Sequence, residues 1–221
     1  MADKELNSIK QELMSITAER NLLLKELNHR VRNMIQTILS LTDIQSDAIQ
    51  DPALKKIFDE NSQRIRVIGI VMDKASRVES IGCVDLKECI TEIAYCLRDE
   101  FFPGRDDVAL HFSGCDVTLN TDVAVSFGII INEILQVALV AAVRESSYVS
   151  IRVEKDVTGI GVTVKSPLCG LDFWKEANEH SISCTLVKHL LGQIGASLCV
   201  DDTSGDLSIT LPDGSRSFAC P

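Results

Sequence analysis

The sequence predicts an α+β protein: a helical hairpin that forms a dimeric four-helix bundle, followed by a two-layer α/β sandwich. Three observations carry this expectation. Residues 5 to about 80 hold two long apolar stripes at helical spacing, joined by a short turn. After Ser80 the texture changes, and helical patterns mix with short period-two runs such as SYVSIRVEK and GIGVTVKS. Finally, each hairpin stripe is wider than a single neighbouring helix can cover, so two copies would complete a bundle. The expected domains are 1–80 and 81–221.

The first stripe runs through Leu23, Leu24, Leu27, Val31, Met34, Ile35, Ile38 and Leu41. It stops before Asp51-Pro52, where Asp51 can cap the next helix and Pro52 takes the tolerated first position. Leu54, Ile57, Phe58, Ile65, Ile68, Met72 and Ala75 form the second stripe. Leu6, Ile9, Leu13 and Ile16 make a shorter stripe, which leaves open whether residues 1–19 extend the first helix as a coiled coil or fray. In the second half, Val84 to Glu100 reads as a helix, DVALHF as a strand and the long apolar segment around Asn132 as another helix. A helix over Ser183 to Ile194 ends at Gly195, a natural C-cap, and SLCVDD and LSITLP pair through Thr203-Ser204-Gly205.

Composition excludes several classes. A net charge of −10 argues against a nucleic-acid surface. The N-terminus is polar and charged, so it is no secretory signal. Val123 to Val143 is long enough to cross a bilayer, but Asn132, Glu133 and Gln136 lie near its middle. A central acidic residue costs about 2.5–3.5 kcal/mol there, so a buried helix and no membrane span is the expectation. The eight cysteines contain no C-x-x-C pair and sit mostly in apolar runs, where Cys acts as a small hydrophobe. His180 and Cys184 share a helix face without a second ligand pair. No metal site is expected, and a reducing cytoplasm fits best.

One histidine stands apart. With His29 set at zero and about 100° per residue, Asn33, Gln36, Ser40 and Asp43 fall on its side of the helix. Leu27, Val31, Met34, Ile38 and Leu41 fall opposite, so His29 should project into solvent. An exposed imidazole is a nucleophile near neutral pH, and the guanidinium groups of Arg30 and Arg32 would stabilise charge on a transferring phosphoryl group. The pattern alone leaves an incidental surface histidine as an open alternative.

LLKELNHRVRNMIQTILSLTDIQSD, the DPALKKIF turn and QRIRVIGIVMDKA together resemble the dimerisation and phosphoacceptor domain of bacterial sensor histidine kinases. The similar subgroup reads H-H-R-V-K-N-N-L-Q. His29 matches its phosphorylated histidine, and Arg30, Val31, Asn33 and Gln36 match as well. Asn28, Arg32 and Met34 depart from the pattern without removing the nucleophile. The second half is similar to the ATP-binding domain of these kinases. IINEILQVALVAAV corresponds to a motif of the form N-E-L-x-x-N-A-x-K-H-A, in which Asn132 and Glu133 match. Val137 replaces a magnesium-binding asparagine, and Val140 and Ala141 replace a polar pair. Where the family has D-x-G-x-G, this chain reads Lys165-Ser166-Pro167-Leu168-Cys169-Gly170. The last glycine-rich motif reads Ser181-Ile182-Ser183-Cys184-Thr185.

Magnesium needs oxygen ligands, and close approach to phosphates needs glycine. The resemblance therefore implies a degenerate nucleotide site around Asn132, Glu133 and Lys165 that holds no cofactor. The function it implies is a histidine phosphotransferase in a bacterial phosphorelay, passing a phosphoryl group between receiver-domain aspartates through His29. Such a protein would be a cytoplasmic homodimer whose partners are response-regulator receiver domains, with a hybrid histidine kinase as a further one. The receiver would supply Mg2+. Two alternatives stand beside it: a non-catalytic pseudokinase that docks receivers, and a divergent sensor histidine kinase core that autophosphorylates from ATP.

Overall fold

A computed structural model describes residues 2–75, 82–104, 108–145, 147–166, 182–201 and 204–212. Helices α1 (Ala2–Ala48) and α2 (Pro52–Ala75) form the hairpin. Asp51 caps α2 as the sequence suggested, its carboxylate accepting from the Ala53 amide at 2.8 Å. The second half runs β1 (Cys83–Asp85), α3 (Leu86–Phe101), β2 (Ala109–Gly114), β3 (Thr118–Asn120), α4 (Thr121–Arg144), β4 (Tyr148–Lys155) and β5 (Gly159–Lys165), then α5 (Ile182–Ile194), β6 (Ser197–Val200) and β7 (Leu207–Pro212). The α+β class is as expected.

Five strands form one sheet in the order β2-β4-β5-β7-β6, with β2 and β4 parallel and the other pairs antiparallel. Alternation along the strands turns Val149, Ile151, Val153, Ile160, Val162, Val164, Leu207, Ile209 and Leu211 toward the helices. Gly114 ends β2 with φ +104, and a Cβ there would sit 1.8 Å from the Val153 carbonyl oxygen, so no larger residue fits. Two details differ from the sequence expectation. The helix expected from Val84 begins at Leu86, because Asp85 turns its carboxylate onto the Glu88 amide as an N-cap (2.7 Å). Cys83, Val84 and Asp85 form a small strand instead, paired antiparallel with β3. Three-residue strands leave no alternation to read.

The long apolar segment is α4, the central helix of the second half. It is apolar enough to span a membrane by length and composition, yet 67% of its most apolar window is buried within the fold. Phe127, Ile130, Ile131, Ile134, Leu135 and Leu139 are fully buried. The core does not stop at residue 80. Val67, Ile70, Val71 and Ala75 of α2 belong to the same apolar cluster as α3, α4 and the sheet. Of the described cysteines, Cys89, Cys96, Cys115, Cys184 and Cys199 are free. Burial pushes the Cys89 thiol up to about 12, as a small core hydrophobe would be. Cys83 is disulfide-bonded, so that reading does not extend to it.

At Gly128 helix α2 packs closely against α4. A Cβ added there would meet Val67 Cγ1 at 3.0 Å and Val71 Cγ2 at 3.4 Å. Replacing it by leucine should wedge the two helices apart and destabilise the protein by about 1–3 kcal/mol, the usual range for overpacking. Urea unfolding followed by circular dichroism would measure this; an unchanged midpoint would mean the helices do not meet there.

Candidate functional site

Helix α1 presents three faces at different bearings, and each does something different. His29 and Asn33, one turn apart, are exposed, with the Asn33 amide nitrogen 3.4 Å from His29 Nδ1. Gln36, Ser40 and Asp43 continue this exposed face, as the helical spacing predicted. About 100° to one side lies the face that packs on α2. Ile35 is buried there beside Gly69, and Ser46 donates to Asp59 at 2.5 Å. About 150° to the other side runs an apolar stripe that this chain leaves bare. Leu27 is 54% exposed, Met34 56% and Leu41 57%.

The two arginines part company. Arg30 is exposed beside His29 and pairs with Glu26 at 2.5 Å, one turn back. Arg32 was expected to add charge next to the imidazole. It instead turns toward α2, where Asp73 holds it at 2.8 Å. The physical reason is the bearing: Arg32 leaves the helix between the His29 face and the α2 face, and a carboxylate across the hairpin decides the matter. Asn28, where the resembling family carries a second histidine, is half-buried.

Of the residues expected around a degenerate nucleotide site, two lie in α4 and one at the end of β5. Asn132 and Glu133 are buried in α4, with the Asn132 amide donating to Glu133 Oε1 at 3.3 Å. Lys165, on the exposed end of β5, is ion-paired with Asp206, which raises the ammonium pKa. Next to it, Ser166 is buried and donates its hydroxyl to the Ala138 carbonyl at 2.8 Å. The stretch from Pro167 to Ser181, which includes Trp174 and His180, lies outside the described residues. Among the described residues, no cluster of three or more His, Cys, Asp and Glu side chains offers a metal site.

Arg64 was missed. It projects from α2 and grips both oxygens of Glu133, Nε to Oε1 at 3.0 Å and Nη2 to Oε2 at 3.1 Å. Nη2 also reaches the Ser183 hydroxyl at 3.3 Å, and Nη1 the Asn61 side chain at 3.0 Å. One guanidinium thus joins the hairpin to α4 and α5. Another cation on the same helix, Lys74, is buried and pairs with Glu88 and Glu92 of α3, each at 2.7 Å. Burial alone would lower its pKa; the two carboxylates more than reverse this and leave it raised. The signal for both was present in the sequence: Arg64, Val67, Val71 and Lys74 follow helical spacing, and a cation on an apolar face requires a buried partner.

Glu133 is only 2% exposed. Replacing Arg64 by alanine strands it as an uncompensated buried charge and should cost about 3–5 kcal/mol, whereas the double replacement Arg64→Met with Glu133→Leu should recover most of that loss. Urea denaturation of the three proteins checks this, and equal stabilities for Arg64→Ala and the wild type would refute the pairing.

Comparison with known proteins agrees with this arrangement. Residues 26–101, the segment that includes His29, match a family model described as histidine kinase. The histidine kinase domain from the Erythrobacter litoralis EL346 blue-light activated histidine kinase superposes with a TM-score of 0.57 at 20% identity, covering 88% of this chain and 94% of that one. A longer structure, that of the Erythrobacter litoralis EL346 blue-light activated histidine kinase, gives a TM-score of 0.55 at 22% identity over 87% of this chain, which spans 62% of its length. No curated protein sequence matches the chain. At these identities the likeness is one of fold: a helical hairpin followed by a mixed α/β sheet resembling that of a histidine kinase domain.

Proposed function

We propose that the chain is a histidine phosphotransferase of a bacterial phosphorelay, acting as a homodimer. The observation that carries this reading is the contrast between two sites. His29 stands on an exposed helix face. Glu133, by contrast, is gripped on both oxygens by Arg64, which also holds Ser183. The resemblance puts nucleotide phosphates and magnesium around Glu133 and Ser183, and here a cation of the chain itself binds them. Two more features support the same reading. Val137 offers magnesium no oxygen, and Ser166, near the place expected for an adenine-binding aspartate, spends its hydroxyl on Ala138.

The chemistry then divides between two proteins. A receiver brings an aspartyl phosphate, a magnesium ion and an acidic pocket. This chain brings the His29 imidazole as nucleophile and Arg30, the more exposed of the two arginines, as a positive charge. The bare stripe of Leu27, Met34, Ile38 and Leu41 is the surface for the second copy, since exposed leucines at helical spacing are what a four-helix bundle buries. It faces away from His29, so both copies keep the histidine accessible. The likeness in fold to a histidine kinase domain favours a second reading, an ATP-dependent kinase with a divergent site.

Incubation with phosphorylated receiver domains should place acid-labile, base-stable phosphate on His29, and His29→Ala should abolish it. Label arriving from ATP alone would establish the kinase reading instead, and label from neither source would leave a docking protein. On light scattering the chain should run at twice its 24.3 kDa mass. Leu27→Glu combined with Ile38→Glu should give the monomer; a mutant that stayed dimeric would place the interface elsewhere.

A further inference from the structure

Among the described residues, the only side chain hydrogen-bonded to His29 is Asn33, and the contact is to Nδ1. The ring nitrogens are chemically distinct, and the partner of one decides whether the other carries a proton or a lone pair. With the Asn33 amide nitrogen donating, the Nδ1 lone pair is engaged and the proton sits on Nε2. In that form neither nitrogen is free to attack. Nε2 lies on the outer edge of the ring, where a phosphoryl donor can reach it, yet it has no lone pair to offer.

We infer that Asn33 is a positioning residue that sets the tautomer of His29 and holds the resting imidazole in the form that cannot attack through Nε2. The purpose assigned to it rests on the phosphotransferase reading. The Asn33 side chain has no other hydrogen bond among the described residues that would hold its amide in place, since Thr37 uses only the Asn33 carbonyl of the main chain. Its oxygen and nitrogen are nearly the same size, so a half-turn about Cβ–Cγ exchanges acceptor for donor at little steric cost. With the oxygen turned inward, Nδ1 keeps the proton and Nε2 gains a lone pair directed outward.

The transfer then balances. The Nε2 pair forms the N–P bond, the aspartyl O–P bond breaks, and the carboxylate leaves with that electron pair. Nδ1 retains its proton, so the phosphorylated ring carries a positive charge and donates to Asn33 Oδ1, a charge-assisted bond that strengthens in the product. The amide therefore opposes attack in one orientation and stabilises its product in the other. Arg30, drawn toward Glu26, and Arg32, bound by Asp73, cannot accept a proton's hydrogen bond and so cannot substitute.

The test is the tautomer itself, read from long-range proton–nitrogen spectra of the full chain labelled with 15N-histidine, at a pH of about 9 where imidazole is neutral. Loss of one signal set in His29→Asn assigns the His29 pair. Asn33→Ala should raise the ratio of the Nδ1–H to the Nε2–H form about threefold over the wild type, the size of one exposed hydrogen bond. Asn33→Asp, which can only accept, should raise it further. A wild-type ratio equal to or above that of Asn33→Ala overturns the inference, whether or not His29 is ever phosphorylated. The predicted order of ratios in a protein that takes no phosphate from any receiver would uphold the tautomer control and overturn the transfer role.

Discussion

A guanidinium taken out of water must be met by a carboxylate placed for it, and the Arg64–Glu133 pair satisfies that demand across 69 residues of sequence. It constrains more than its own surroundings. Arg64 fixes the rotation of α2 about its axis, and with it the apolar edge of Val67, Ile70 and Val71 that fills the space beside α4. Ten residues further on, Lys74 repeats the device against α3. Between the two cations the helix has one orientation that satisfies both charges, and Gly128 lets it approach α4 closely in that orientation. Buried pairs of this kind contribute little net stability compared with apolar packing; what they penalise is every wrong arrangement.

The hairpin inherits its geometry from this anchorage. Because α2 is held on the second half, α1 packs on the remaining side of α2 through Ile35, Arg32 and Ser46. That choice leaves the His29 face and the leucine stripe both open, at bearings well apart. One helix thus separates three tasks by rotation alone: attachment to its own chain, association with a second, and presentation of a nucleophile.

How much of this could be read beforehand varied with the type of signal. Helices α1 and α2 carry long periodic stripes, α4 is a long apolar run, and the strands β4, β5 and β7 alternate cleanly, so their existence followed from the sequence pattern. The exposure of His29 followed from the same count. The fate of Arg32 did not, because an ion pair across the hairpin depends on where Asp73 falls after packing. Strands β1 and β3 are three residues each and are held by pairing with each other, which leaves no local trace. Arg64 left a trace that went unused: a cation at the buried spacing of its own helix. Lys165 was named for its adjacency to a degenerate motif, and the packing gives its side chain Asp206 as a partner, which adjacency alone does not show.

The continuity of the core through α2 has a bearing on how the chain can be divided. The change of texture near residue 80 invites a cut there, giving a hairpin and a sheet fragment. Such a cut would strip Val67, Ile70, Val71 and Ala75 from the sheet fragment and leave the α4 surface at Gly128 without its cover. It would also sever Glu133 from its only guanidinium partner among the described residues. The compositional seam and the folding seam therefore lie in different places: by composition α2 belongs to the first half, and by cohesion its C-terminal turns belong to the second.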